Sequence, residues 1–187
     1  MLPDPVQYLC QKNAMKVILI ALLIASGQSI RWPEPVDNSP NFNQLSIANK
    51  QDPSTMETQS MQVVRDFLTA VQQGNQAKLA ALIHPAIEWN QPGNNRFSGV
   101  KKSATDVFQM VGGMFQVSEN SLALTDIKAL TANGNSVACL VHWKATQPRG
   151  SVLDVDNIDV YTVEKGQIVK ANIYSADIAQ EDDFWLK

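Results

Sequence analysis

Asn157-Ile158-Asp159-Val160-Tyr161-Thr162-Val163-Glu164-Lys165-Gly166-Gln167-Ile168-Val169, continuing through Tyr174 to Asp177, is the stretch that decides the fold. It reads as two long strands joined by a tight turn at Glu164-Lys165-Gly166-Gln167. Gly166 supplies the positive φ such a turn needs, and β-branched and aromatic residues flank it. Inside the first strand, Asp159 sits among Ile158, Val160, Tyr161 and Val163. A carboxylate in mid-strand is disfavoured unless it faces water or a lined cavity. Alternation puts Asn157 and Tyr161 on its face and Ile158 and Val160 on the other.

Two more strands precede this hairpin. Leu122 to Leu130 ends at Asn133-Gly134-Asn135, and Val137 to Thr146 ends at Gln147-Pro148-Arg149-Gly150. Further upstream the period changes. Met61, Val64, Phe67, Leu68 and Val71 form a stripe at helical spacing over Thr58 to Gln73, closed by Gly74. Asn75 can cap a short helix over Gln76 to Ile83, which His84-Pro85 breaks. Ile87-Glu88-Trp89-Asn90 reads as a short strand. After Ser98-Gly99 a third helix carries Val100, Ala104, Val107, Phe108, Val111 and Phe115 on one side. Three helices followed by long antiparallel strands predict an α+β domain, with the helices covering one face of a curved sheet. Val137, Cys139, Val141 and Trp143 oppose Ala138 and Leu140, so the uncovered face is also partly apolar. A homodimer through that open face is the simple expectation.

The N-terminal third looks different. Met15-Lys16 precedes nine apolar residues, Val17 to Ala25, and then Ser26-Gly27-Gln28-Ser29. This pattern predicts a signal peptide within residues 1–30, with translation starting at Met15. The run is short of the ~20 apolar residues a bilayer span requires, so no stable membrane anchor is expected once the leader is removed. The expected location is secreted or periplasmic. Residues 31–58 hold Pro33, Pro35, Pro40 and Pro53 among many Asn, Gln and Ser, and are expected to be a flexible linker. That leaves 59–187 as the folded domain.

Composition narrows the function. With a formal charge of −3 and no Lys/Arg cluster, the chain lacks the basic face that nucleic-acid binding needs. Cys10 and Cys139 form no disulfide framework, and with only His84 and His142 beside them no metal-ligand spacing appears. Asp154, Asp156, Asp177 and Asp182-Asp183 match no calcium loop and read as solvated charge. No metal and no cofactor are expected.

Several of these pieces together resemble one family. Val64-Arg65-Asp66-Phe67-Leu68 running to Gly74-Asn75, then Ile87-Glu88-Trp89, Ser98-Gly99, and above all Ile158-Asp159-Val160-Tyr161 with Glu164-Lys165-Gly166-Gln167-Ile168-Val169 and Tyr174 resemble the SnoaL-like branch of the nuclear transport factor 2-like superfamily. The branch has polyketide cyclases and ketosteroid isomerases as relatives. The resemblance implies a cone-shaped, curved antiparallel sheet covered on its concave face by three N-terminal helices, a pocket between them, and a dimer. It also implies that Asp159 faces the pocket. Ketosteroid isomerases pair a strand-end Asp base with a Tyr and a protonated mid-strand Asp. By resemblance those positions fall on Asn90, Phe67 and Asp159. An Asn cannot abstract a carbon-bound proton and a Phe cannot donate to an enolate, so that mechanism is disfavoured. Limonene-type epoxide hydrolases need Asp-Arg-Asp, where this chain offers Leu140, His142 and Lys144.

The expected ligand is therefore a small, largely apolar molecule in a pocket containing Asp159, bound without turnover. Trp89, Asn90, Tyr161, Asn157, Phe67, Phe108 and Phe115 are the candidate lining. The alternative is acid/base catalysis on a small carbonyl compound by Asp159, with His142 or Tyr161 assisting as the second titratable group. A third reading is a protein-interaction module that uses the open sheet.

Overall fold

A computed structural model describes residues 53–148 and 150–186. The expected signal peptide and all of the expected linker up to residue 52 lie outside the described residues. The elements run α1 (Pro53–Gln73), α2 (Gln76–Leu82), β1 (Ile83–Gln91), β2 (Gly99–Lys101), α3 (Ala104–Val117), β3 (Ala123–Asn133), β4 (Ser136–Thr146), β5 (Val152–Glu164), β6 (Gln167–Ser175) and α4 (Ile178–Trp185). Helix α1 starts at Pro53, so residues 53–58 are helical and not linker. The restricted φ of proline suits a first helical turn. Among the described residues no helix is long and apolar enough to cross a membrane.

The six strands form one sheet in the order β2-β1-β6-β5-β4-β3. From β3 to β6 it is an antiparallel meander, and the β5–β6 turn is as expected. Glu164 pairs with Gln167 across Lys165 and Gly166, both at positive φ (49° and 80°). One junction departs from the expected all-antiparallel sheet: β1 runs parallel to β6. The sheet is therefore mixed, curved and not closed. Strand direction between elements about eighty residues apart depends on the path taken by β2 and α3, which local patterning does not record.

The core lies between the inward face of the sheet and the helices. Along α1 the buried residues are Ser60, Val64, Phe67, Leu68 and Ala70, close to the expected stripe. Helix α3 is rotated relative to expectation. It buries Val107, Met110 and Met114, whereas Phe108 and Phe115 are each more than a third exposed (38% and 37%). Positions 107, 110 and 114 share one side at 100° per residue, and Phe108 and Phe115 flank it. Those two rings are not part of an interior wall. Gly113 lets α3 approach Phe97, because a Cβ there would sit 2.7 Å from the ring.

The fourth helix was not expected, and it packs against β5. Asp177 caps α4, its side chain accepting from the backbone N–H of Gln180 at 2.9 Å. Asp182 accepts from Asn94 N–H at 2.7 Å and from Asn95 Nδ2 at 2.8 Å. Gly93 allows this close approach, since a Cβ there would collide with Asp182. These aspartates are helix and loop ties, not free surface charge. Phe184 and Trp185 are buried and meet edge-on at 4.7 Å, and Phe97 meets Trp185 at 5.5 Å.

Candidate functional site

Strand β5 alternates cleanly. Leu153, Val155, Asn157, Asp159, Tyr161 and Val163 are buried, and Val152, Asp154 and Ile158 are exposed. Asp159 therefore faces the helices, 2% exposed, between Cys139 of β4 and Ile173 of β6. Its Oδ2 accepts from the Tyr161 hydroxyl at 2.9 Å. Its Oδ1 is buried with no hydrogen-bond partner among the described residues. Burial raises this carboxyl from 3.8 to about 7, the Tyr161 hydroxyl pulls it back, and the charge of Glu181 adds to the rise. Near neutral pH both its protonated and its ionised forms are populated.

Aromatic rings hold this group in place. Tyr161 is met edge-on by Phe67 at 5.4 Å and, with the rings tilted, by Trp89 at 6.0 Å, and Phe67 and Trp89 are 6.5 Å apart. Burial and the neighbouring Asp159 push the Tyr161 phenol well above its ordinary value, so it remains a donor. Trp89 donates its indole N–H to Gln91 Oε1 at 3.0 Å, inside the core. Beneath Asp159, burial followed by the Asp159 charge raises the Cys139 thiol, which stays protonated.

Glu181 is the residue that sequence reasoning missed. It lies on the inner side of α4, 3% exposed. Burial raises its carboxyl, against the pull of donors on Ser175, Asn157 and Trp185, and Asp182 adds to the rise. Ser175 and Asn157 are cross-strand partners, so the Glu181 carboxyl projects onto the β5–β6 pair beside Asp159. The available signal was an acid in the apolar stripe Glu181, Phe184, Trp185, at spacings of three and four.

The remaining expected site residues are elsewhere. His142 is on the outer face of β4, opposite in sense to Cys139 and Val141. Its Nδ1 meets Asp156 Oδ1 at 2.6 Å and its Nε2 meets Asp154 Oδ1 at 2.9 Å. Lys128 and Lys144 bind the same two aspartates. Strand alternation thus separates His142 from Asp159 by the thickness of the sheet, and it is not the second titratable group beside that acid. Asn90 is exposed on the outer face of β1, paired with Val100 and Asn172. A surface groove of about 420 Å³ lies apart from all of these, between α1 and β3, and is lined by Arg65, Leu68, Thr69 and Ile127 to Leu130.

The SnoaL-like domain family matches residues 64–171, which is more than half of the chain. The chain belongs to the SnoaL-like family. A protein of unknown function with a cystatin-like fold from Xanthomonas campestris is 33% identical to this SnoaL-like protein, covering 68% of this chain and 98% of its own at a TM-score of 0.66. A protein of Jannaschia sp. CCS1 bearing the name SnoaL-like polyketide cyclase is 17% identical, covering 73% and 99% at a TM-score of 0.60. TerC, solved in co-crystals with polyporic acid, is 14% identical, covering 67% and 98% at 0.60. The last two show that this SnoaL-like chain shares their fold. No curated protein matches it.

Proposed function

We propose that this SnoaL-like domain binds a small, largely apolar molecule between its helices and sheet, with the ligand's polar end on Asp159. One observation carries the reading. A fully buried carboxyl, aligned by Tyr161, whose ring packs against Phe67 and Trp89, keeps one oxygen without a partner among the described residues. An acid serving only the fold would have both oxygens satisfied, because an unpaired buried acceptor costs about 1–3 kcal/mol. The co-crystallisation of TerC with polyporic acid gives this reading a precedent in a shared fold. Export by the leader within residues 1–30 and pairing of two copies through the outer sheet face belong to the same proposal. Ile158 pairs with Leu140 and with Tyr174 on that face, and both Ile158 and Tyr174 are at least half exposed.

A second reading is acid/base turnover. The observation favouring it is Glu181: two acids with raised pKa on facing elements can divide the donating and accepting roles. Asp159→Asn separates binding from structure. Thermal melting of the full chain against a library of small aromatic compounds should show a higher melting temperature above neutral pH and loss of the ligand-induced shift. Undiminished shifts in the variant would refute the proposal.

A further inference from the structure

With Asp159 and Glu181 ionised, the interior polar group holds more acceptors than donors. Asn157 Oδ1, Asp159 Oδ1 and Glu181 Oε1 are each buried without a hydrogen-bond partner among the described residues. The three residues are 6%, 2% and 3% exposed, so water does not solvate them from outside. Two stand two positions apart on the inward face of β5, and the third projects from α4, which packs on β5. The donors nearby are already directed. Tyr161 bonds Asp159 Oδ2, Trp89 bonds Gln91, and the Ser175 hydroxyl, the Asn157 amide N–H and the Trp185 indole act on the Glu181 carboxyl.

We propose that Asn157, Asp159 and Glu181 form a receptor for a primary ammonium group carried on a small apolar body, an alkylamine or arylalkylamine. This rests on the ligand-binding reading and specifies the polar end of the ligand. An ammonium presents three N–H donors and no acceptor, matching three unpaired oxygens. A carbonyl ligand would bring a further acceptor, and a hydroxyl only one donor. The charge would enter an apolar interior, where charge-assisted hydrogen bonds to two carboxylates offset the loss of hydration. Tyr161, which bonds Asp159, packs against Phe67 and Trp89, and Trp185, beside Glu181, packs against Phe184, so aromatic rings neighbour both acids and suit the apolar body.

Protons and the ammonium compete for the same oxygens. The titratable groups facing the pair are the Tyr161 phenol from β5, the Cys139 thiol from β4 and Asp182 from α4 itself. No lysine or arginine among the described residues is seen to act on either acid. With Asp159 titrating near 7 in the free protein, amine affinity should rise roughly 20-fold between about pH 5.5 and about pH 7.5, a window in which an alkylammonium stays charged.

The test is calorimetric titration of the full chain with 2-phenylethylamine, 2-phenylethanol and acetophenone, at both pH values and in two buffers of different ionisation enthalpy. The amine should bind, release protons and tighten with pH. Asp159→Asn and Glu181→Gln should each weaken it by about tenfold or more, the range of a charge-assisted hydrogen bond, and each should reduce the protons released. Equal or tighter binding of the alcohol or ketone, a flat pH profile for the amine, or failure of the amine alone to bind would overturn the inference and leave the ligand-binding reading standing. Failure of all three probes would overturn both. If either variant does not fold by circular dichroism, proton release by the wild-type chain decides the matter on its own.

Discussion

Asp159→Asn tests the energetics of the buried acid without any ligand. In the folded protein the carboxyl titrates near 7, against 3.8 for the exposed group. Below about pH 4 the folded and unfolded chains both hold the proton, and well above pH 7 neither does. Between those limits only the folded chain holds it, so wild-type stability falls as pH rises, by about 1.4 kcal/mol per unit. Over the full window the loss is about 4 kcal/mol. Asn has the same shape, keeps an oxygen for the Tyr161 hydroxyl and does not ionise. The variant should therefore gain on the wild type by roughly 3 kcal/mol between pH 5 and pH 8. For a folded domain of this size that is about 10 °C in melting temperature. The rise at Glu181 acts in the same direction in both proteins and cancels in the difference to first order. Urea unfolding of both full-length proteins at half-unit pH steps measures the gap. Parallel stability curves, with a constant gap from pH 5 to pH 8, would refute the buried, proton-holding carboxyl.

Tyr161→Phe removes the donor to Asp159 Oδ2. It should cost about 1–3 kcal/mol and move the acid's titration to higher pH, because that hydroxyl holds the pKa down; the pH dependence of unfolding reports both. Phe67→Ala empties the position where two ring contacts meet and should cost about 3–5 kcal/mol in urea unfolding. His142→Gln changes only the outer face and should leave the Asp159-dependent pH profile and any ligand affinity unaltered; a shifted profile would contradict the separation of the two faces. Under the proposed pairing of two copies, wild type should be a dimer by light scattering and Ile158→Lys, which puts a charge on the outer face of β5, a monomer; a monomeric wild type would refute the pairing.

The hairpin and the helix stripes were legible because each is a local matter. Period two on β5 sorts Asn157, Asp159 and Tyr161 from Ile158 and Val160, and period 3.6 marks Val64, Phe67 and Leu68. Gly166 announces its turn because few other residues accept the geometry. The inward orientation of Asp159 followed from that alternation together with the family pattern.

Other features required the assembled molecule. The α3 rings were misjudged because two stripes on one amphipathic helix are nearly equivalent until Phe97 and the sheet select one. His142 seemed a partner for Asp159 until the β4–β5 register set Cys139 opposite Asp159 and His142 opposite Asp156. Glu181 becomes a functional candidate only when α4 folds back and desolvates it against Asn157. What the sequence alone determined is which residues share a face, since that depends on backbone geometry within a few residues. Which faces meet, and so which acids lose their water, depends on contacts between segments far apart in the chain, and only the tertiary structure decides it.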